Sequence, residues 1–466
     1  MKFALFFGNR GFFPGELIAS ARDEVKAAVE NMGFETILLP SELTRYGAVE
    51  TPAEGKIYAE FLKQNEGKFD GVIMSLPNFG DETGALAALR DCGVPILIQA
   101  YPDEIGKMDF AHRRDAFCGK FSIMDVFYQS NLPFTVFGPH VVHPKSNTFM
   151  EHLDKFAAVC RVVKGMKRFT VGAIGARTTA FKTVRFDELT LQKYDITTET
   201  VDLSEVFDRV KKVDEKSDAF KEKLKHLKNY TDWSAAPEGK LELLARIGIV
   251  IDGFVGELGL DCLAFRCWDE IERHLGVSPC VLLSEMNDRG LAAACELDVC
   301  NAVPMRALAL ASGNSATCLD WNNNYGDDPD KCILFHCGPV PKSLMVPETG
   351  HITEHPMFKK AFGAGCGWGC NEGRIAANDI TYMSSKTEDG RLIFYVGEGR
   401  FTADEIEEAF FGCAGVAKID NLQEKLLTIG KMGYRHHVSV TKGFVLEAIS
   451  EAFETYLGYD FIVLDM

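Results

Sequence analysis

The sequence predicts an α/β protein in which two Rossmann-like parallel-sheet domains are followed by a C-terminal antiparallel, β-barrel-like domain. Three observations carry this expectation. Over the first 165 residues, short apolar strands alternate with amphipathic helical stretches, the pattern of a parallel sheet covered by helices. The alternation starts afresh at Arg168-Phe-Thr-Val-Gly-Ala-Ile-Gly175. From about Gly326 the texture changes to short β-rich segments separated by Gly, Pro and Asp, which predicts an antiparallel sandwich or barrel. A chain of 466 residues holds two to four domains of ordinary size, and these changes divide it into 1–165, 166–325 and 326–466.

In chain order, the first segment reads as a strand at Phe3 to Phe7, a helix over 15–31, and strands at Glu35 to Leu39, Gly71 to Met74 and Val94 to Gln99. Ligands of such sheets gather at the carboxyl ends of the strands. Two loops stand there, Gly8-Asn-Arg-Gly11 and Ser75-Leu-Pro-Asn-Phe-Gly-Asp-Glu82. Residues 205–247 are helical in pattern with mixed charges, more in keeping with a solvated face than with a binding patch. Gly259 to Cys267 and Ser278 to Leu283 read as buried strands, and Asp288 to Ala311 as a mostly apolar helical stretch. In the last segment, strands are expected at Cys332 to Cys337, Ile380 to Ser384, Arg391 to Val396 and His436 to Val440. A helix, Phe444 to Leu457, and a strand, Phe461 to Leu464, follow them.

Composition narrows the function classes. Hydrophobic residues at 46% and charged residues at 25% are ordinary globular usage. A formal net charge of −17 opposes nucleic-acid binding, which needs clustered Lys and Arg to displace counterions. No apolar run reaches the length of a membrane span, and the apolar start is too short for a signal peptide, so a cytoplasmic protein is expected. The fourteen cysteines are scattered through apolar segments and read as reduced, buried thiols. Cys366 and Cys370 lack a second pair to complete a zinc site.

Two acidic tracts stand out. Cys295-Glu-Leu-Asp-Val-Cys300 sets two carboxylates among small and apolar residues, where an uncompensated acid is costly. Twenty-four positions after Glu296, Ala316-Thr-Cys-Leu-Asp-Trp-Asn-Asn323 ends an apolar stretch with Asp320. Helix caps, buried hydrogen-bond acceptors and metal ligands are all open readings of these acids. His336 stands at a strand end before a Gly-Pro turn, and His436 and His437 form a strand-edge pair whose rings, by alternation, face opposite sides. Isolated strand histidines are commonly structural. Carboxylates joined by imidazoles would favour Mn²⁺ or Mg²⁺, with imidazole shifting the balance toward Mn²⁺.

Glu296-x-Asp298, Asp320-Trp321, His336-Cys-Gly338 and His436-His437 together resemble the L-fucose isomerase and L-arabinose isomerase superfamily. Gly8-Asn-Arg-Gly11 resembles the early Arg loop of fucose isomerases, and the run from Arg113 to Met124 resembles segments of shorter fucose isomerase-like proteins. The spacing from Glu296 to Asp320 fits the fucose isomerases, whereas the double His resembles the arabinose isomerases. The resemblance implies that Glu296, Asp320 and His437 hold Mn²⁺, with Mg²⁺ or Co²⁺ as alternatives and His336 as a fourth participant. It implies that Arg10 contacts the sugar, with Asn78, Phe79 and Trp321 as further candidates. A homo-oligomer, hexameric or trimer-based, is also implied. The activity implied is aldose–ketose isomerisation through a cis-enediol, with Glu296 and Asp320 as acid and base in either order. Alternatives are a sulfonated or phosphorylated sugar, met by Arg10, Arg113, Arg114 or Arg177, and a non-catalytic sugar-binding protein, which the presence of both acids disfavours.

Competing motifs are weak. His351-Ile-Thr-Glu-His355 matches the H-x-x-E-H of inverted zinc peptidases, which requires a helix, yet Gly350 and Pro356 flank it. Gly172-x-x-Gly175 lacks the further residues of a dinucleotide or phosphate loop, and no Gly-x-Ser-x-Gly elbow occurs.

Overall fold

The computed structural model describes residues 1–464, and the chain forms two compact units. The first holds Met1–Lys164 together with Glu447–Gly458; the second holds Gly165–Leu446 and the segment from Tyr459.

In the first unit, β1 (Lys2–Phe7), β2 (Glu35–Leu38), β3 (Gly71–Leu76) and β4 (Ile96–Ala100) form a parallel sheet in the order β2-β1-β3-β4. β1, β3 and β4 are buried almost throughout, as apolar strands must be when helices cover both faces. The strand order reverses between β1 and β3. The two loops singled out above leave the sheet there, the position at which doubly wound sheets open a crevice.

The second unit joins a parallel sheet to a barrel. The sheet runs β6-β5-β7-β8, from β5 (Phe169–Ile174), β6 (Ile196–Val201), β7 (Cys262–Phe265) and β8 (Ala293–Ala294). The barrel is built from β9 (Ala316–Asn324), β10 (Lys331–His336), β13 (Asn378–Glu388), β14 (Arg391–Phe401), β15 (Cys413–Lys418) and β16 (His437–Lys442). Every neighbour in the circuit β15-β10-β9-β16-β13-β14 is antiparallel, and the β14–β15 pairing closes it. Three strands extend its margins: β11 (His351–Glu354), β12 (Trp368–Arg374) and β17 (Asp460–Val463). The fold class predicted from sequence is therefore the one observed. The helix Val299–Ser312 is buried around most of its circumference because it packs on β5 and β7 of the sheet and on β9, β13 and β16 of the barrel.

Two stretches differ from expectation, and in one of them, Asp288 to Ala311, the helix begins only at Val299, after β8 and a turn. Ser278 to Leu283 is not a strand: the chain forms a buried helix, Cys280–Asp288, capped at Pro279. A six-residue apolar run carries no periodicity that separates a buried strand from one face of a buried helix.

Candidate functional site

Glu296 enters the site on a strained turn. β8 ends at Ala294, and Glu296 and Leu297 both adopt left-handed backbone, with φ of 58° and 61°, before the helix Val299–Ser312 begins. Two consecutive left-handed non-glycine residues cost on the order of 1–3 kcal/mol each, and such strain concentrates where a side chain must be aimed. Asp298 occupies the cap position of that helix but makes no capping hydrogen bond. Its carboxylate instead pairs with Arg435, accepts from Asn301 Nδ2 at 2.6 Å and stands 2.7 Å from His437 Nδ1. The cap reading of this acidic tract is thus excluded by geometry.

The barrel brings up the other groups. Asp320 on β9 and His437, the first residue of β16, are direct cross-strand partners. His437 Nε2 lies 3.0 Å from Glu296 Oε2 and 3.4 Å from Asp320 Oδ1. His336 ends β10 with its ring centroid 5.9 Å from that of His437. Ligand atoms of Glu296, His336 and His437 all fall within 4.8 Å of one another, as do those of Asp320, His436 and His437.

Both rings of the His436-His437 pair reach Asp320, His436 Nε2 at 3.7 Å. Strand alternation led to the opposite expectation, but β16 begins only at His437, so His436 is outside the pleat.

Burial and charge sharpen the picture. Glu296 Oε2, Asp320 Oδ1, His336 Nε2 and His437 Nε2 are each buried without a hydrogen-bond partner. Four such atoms in one place violate the usual satisfaction of buried polar groups. Burial raises the Asp320 carboxyl and the nearby Glu296 charge adds to this, against the imidazoles. Burial would lower the His437 imidazolium, but the Asp298 hydrogen bond and the Glu296 and Asp320 carboxylates hold it well above its ordinary value. Burial likewise opposes ionisation of Asp298, yet the Arg435 charge and His437 outweigh it and bring its carboxyl down to about 2. The donors nevertheless suit a divalent cation. Two carboxylate oxygens with one or two imidazole nitrogens form the mixed set that Mn²⁺-like ions accept.

The remaining candidates lie in two places. Arg10, Asn78 and Phe79 meet in the first unit, where the Arg10 guanidinium pairs with Glu82, donates to Gly80 O at 2.8 Å and lies 4.4 Å over the Phe79 ring. Asn78 Oδ1 accepts from the Arg10 backbone at 3.3 Å. Trp321 points to the barrel core, where its Nε1 donates to Tyr395 Oη at 3.2 Å. It is not grouped with Asp320. Among the Arg residues considered for an anionic sugar, Arg10 and Arg113 are paired with Glu82 and Asp115. The guanidinium groups of Arg114 and Arg177 donate to backbone carbonyls, those of Pro77 and of Thr178 and Thr179.

Asp298, Arg435 and Phe181 complete the site without having been assigned a role from sequence. Asp298 and Arg435 each lie within two residues of a proposed ligand, which is the one signal available. Phe181, 5.7 Å from the His437 ring and stacked on Trp268 at 5.6 Å, carries no sequence signal. In the H-x-x-E-H segment His351–Glu354 form the strand β11, paired with β12, and His355 stands before the helix Pro356–Phe362, so the motif offers no helical zinc face.

Comparison with known proteins bears on the family. Residues 4–167 match the family described as the fucose/sulfoquinovose isomerase N-terminal domain, and residues 334–465 match the L-fucose isomerase C-terminal domain. Sulfoquinovose isomerases of Priestia aryabhattai and Priestia megaterium are each 24% identical over 424 residues, covering 89% of both chains. That of Alkalicoccus urumqiensis is 23% identical over 359 residues, 74% of this chain and 77% of its own. The chain belongs to the fucose isomerase-like superfamily of sugar isomerases, aldose–ketose isomerases that carry out an intramolecular oxidation–reduction.

Proposed function

We propose that this chain is a divalent-metal-dependent isomerase of a sulfonated aldose, sulfoquinovose or a close analogue, with Glu296, Asp320 and His437 as metal ligands and His336 as a fourth participant. The observation that carries the reading is that two groups of potential ligands, Glu296–His336–His437 and Asp320–His436–His437, share His437, with Glu296 Oε2, Asp320 Oδ1, His336 Nε2 and His437 Nε2 all buried without a hydrogen bond. The names of the relatives support the substrate class. A cation of the Mn²⁺ class, or Mg²⁺ or Co²⁺ in its stead, would supply Lewis-acid polarisation of the sugar's O1 and O2.

The chain's own residues do the rest. One carboxylate of the Glu296–Asp320 pair takes the proton from C2 of the open-chain aldose, and the same face of the resulting cis-enediol receives a proton at C1. The second carboxylate exchanges the hydroxyl proton. Burial raises the Asp320 carboxyl, which favours it as the group that carries a proton. Asp298, itself fixed by Arg435, keeps the His437 ring oriented with Nε2 toward Glu296.

Arg177 is proposed to meet the sulfonate, since its guanidinium is not spent on a carboxylate among the described residues. In this reading residues 1–165 contribute Arg10, Asn78 and Phe79 to substrate binding. Residues 166–325 supply the carboxylates and 326–466 the histidines. Free thiols throughout the chain, Cys118 exposed among them, favour a reducing cytoplasm, and the enzyme is proposed to be a homo-oligomer.

The test is ketose formation, followed by NMR, from sulfoquinovose, glucose and L-fucose with Mn²⁺-loaded protein. Turnover of the sulfonated sugar well above the neutral ones supports the proposal. Equal turnover of all three removes the sulfonate assignment and leaves the isomerase.

A further inference from the structure

Phe181 stands half-buried on the stretch between β5 and the helix Glu188–Lys193, with exposed Thr179, Ala180 and Lys182 next to it. A turn anchors it: the Phe181 backbone N–H donates to Thr178 O at 2.9 Å, and Thr178 Oγ1 donates to Trp268 O at 3.2 Å. The turn sets the aromatic ring against the two imidazoles, with its centroid 5.5 Å from that of His436 and 5.7 Å from that of His437. The same ring stacks on Trp268 at 5.6 Å, and Trp268 meets Phe358 edge-on at 6.1 Å. His437 Nε2 stands in turn 3.0 Å from Glu296 Oε2 and 3.4 Å from Asp320 Oδ1, and all three of these atoms are buried. An apolar ring on a largely exposed turn is thus held beside the most polar group of the second unit.

We propose, resting on the isomerase reading, that Phe181, backed by Trp268, is the apolar wall that keeps bulk water from the Glu296–Asp320 pair while a proton passes from C2 to C1 of the sugar. In that reaction the C2–H bond breaks, its proton moves to a carboxylate, and the C1–H bond of the ketose forms with the proton which that acid returns. An acid open to water exchanges its proton with solvent before returning it. Behind an apolar wall it hands back the proton it took, because exclusion of water closes the route by which the proton leaks. A phenyl ring suits this place, since it packs on the C–H edge of a sugar and brings no donor or acceptor that competes for the proton. The stacked Trp268 holds its plane.

The test is isomerisation of sulfoquinovose, with L-fucose in parallel, by Mn²⁺-loaded wild type, Phe181→Ala and Phe181→Leu in heavy water. Deuterium at C1 of the ketose is read by NMR at low conversion. Wild type is expected to return chiefly protium to C1, and Phe181→Ala to raise the deuterium fraction at least about threefold. Phe181→Leu, which restores an apolar side chain, is expected to stay near wild type. A ring that only steadies its turn would alter rate or stability and leave the isotope ratio where it was. If Phe181→Ala does not fold, Trp268→Leu, which leaves Phe181 without its backing, reads the same rise. Full deuteration of C1 by wild type, or an unchanged ratio in the variant that folds, overturns the proposal and leaves the isomerase. No ketose from either sugar with wild type overturns the isomerase reading and this proposal with it.

Discussion

Nδ1 of His437 stands 2.7 Å from Asp298 Oδ2 while Nε2 of the same ring stands 3.0 Å from Glu296 Oε2. One imidazole is thus held from behind by a carboxylate that Arg435 locks in place, and presents its other nitrogen to Glu296 and Asp320. This arrangement, a carboxylate orienting a histidine, fixes the tautomer and the ring direction.

Asp298→Asn is therefore expected to weaken Mn²⁺ binding by about 10–100-fold, as loss of outer-shell partners does. It also leaves Arg435 buried without its counter-charge, a change that costs about 3–5 kcal/mol. Calorimetric Mn²⁺ titration and denaturant unfolding measure the two effects; wild-type values in both would remove Asp298 from the account.

Glu296→Gln and Asp320→Asn each keep the shape of the side chain and remove its charge. Both proteins are expected to fold, with far-ultraviolet circular dichroism unchanged and turnover lower by about 10²–10⁴-fold, the usual contribution of a positioned acid or base. Wild-type turnover in either variant would show that the carboxylate lies outside the chemistry.

Arg177→Ala tests the sulfonate contact. A charge-assisted hydrogen bond contributes about 1.5–3 kcal/mol, so kcat/KM for the sulfonated sugar should fall by about 10–100-fold. A neutral aldose should be affected little. Equal losses for both sugars would assign Arg177 to folding of its loop.

Stability should fall with rising pH through one identifiable carboxyl. Glu272 is fully buried, accepts from Ser278 Oγ at 3.1 Å and leaves Oε2 without a partner. Burial pushes its carboxyl from an ordinary value near 4.5 up to about 8. The folded state holds this proton longer than the unfolded chain does, so the stabilising effect of the neutral acid is complete below about 4.5 and is lost as pH rises through about 8. Glu272→Gln should remove that slope and be more stable than wild type above pH 8; denaturant unfolding at pH 6 and 8.5 would reveal an unchanged slope if another group carries it.

The sequence made the architecture legible because strand burial leaves a strong mark. Runs such as Phe3 to Phe7 and Gly71 to Met74 can be little else between helical stretches. Ser278 to Leu283 failed for the converse reason, since its helix is buried too completely to show a polar face. At the site, acids among apolar residues exposed Glu296 and Asp320, whose cost in isolation demands compensation. The means of compensation were not legible. Arg435 is one charged residue among several, Phe181 is an ordinary aromatic, and Trp321 was read with Asp320 although the pleat turns it toward Tyr395.

The measurement that bears most directly on the central claim is turnover of a sulfonated aldose before and after exhaustive chelation, with Mn²⁺ then titrated back into wild type and Glu296→Gln. The account predicts that chelated wild type is inactive, that one Mn²⁺ per chain restores ketose formation, and that Glu296→Gln neither retains the ion nor recovers activity. Full turnover by metal-free protein, or full recovery of Glu296→Gln, would contradict it.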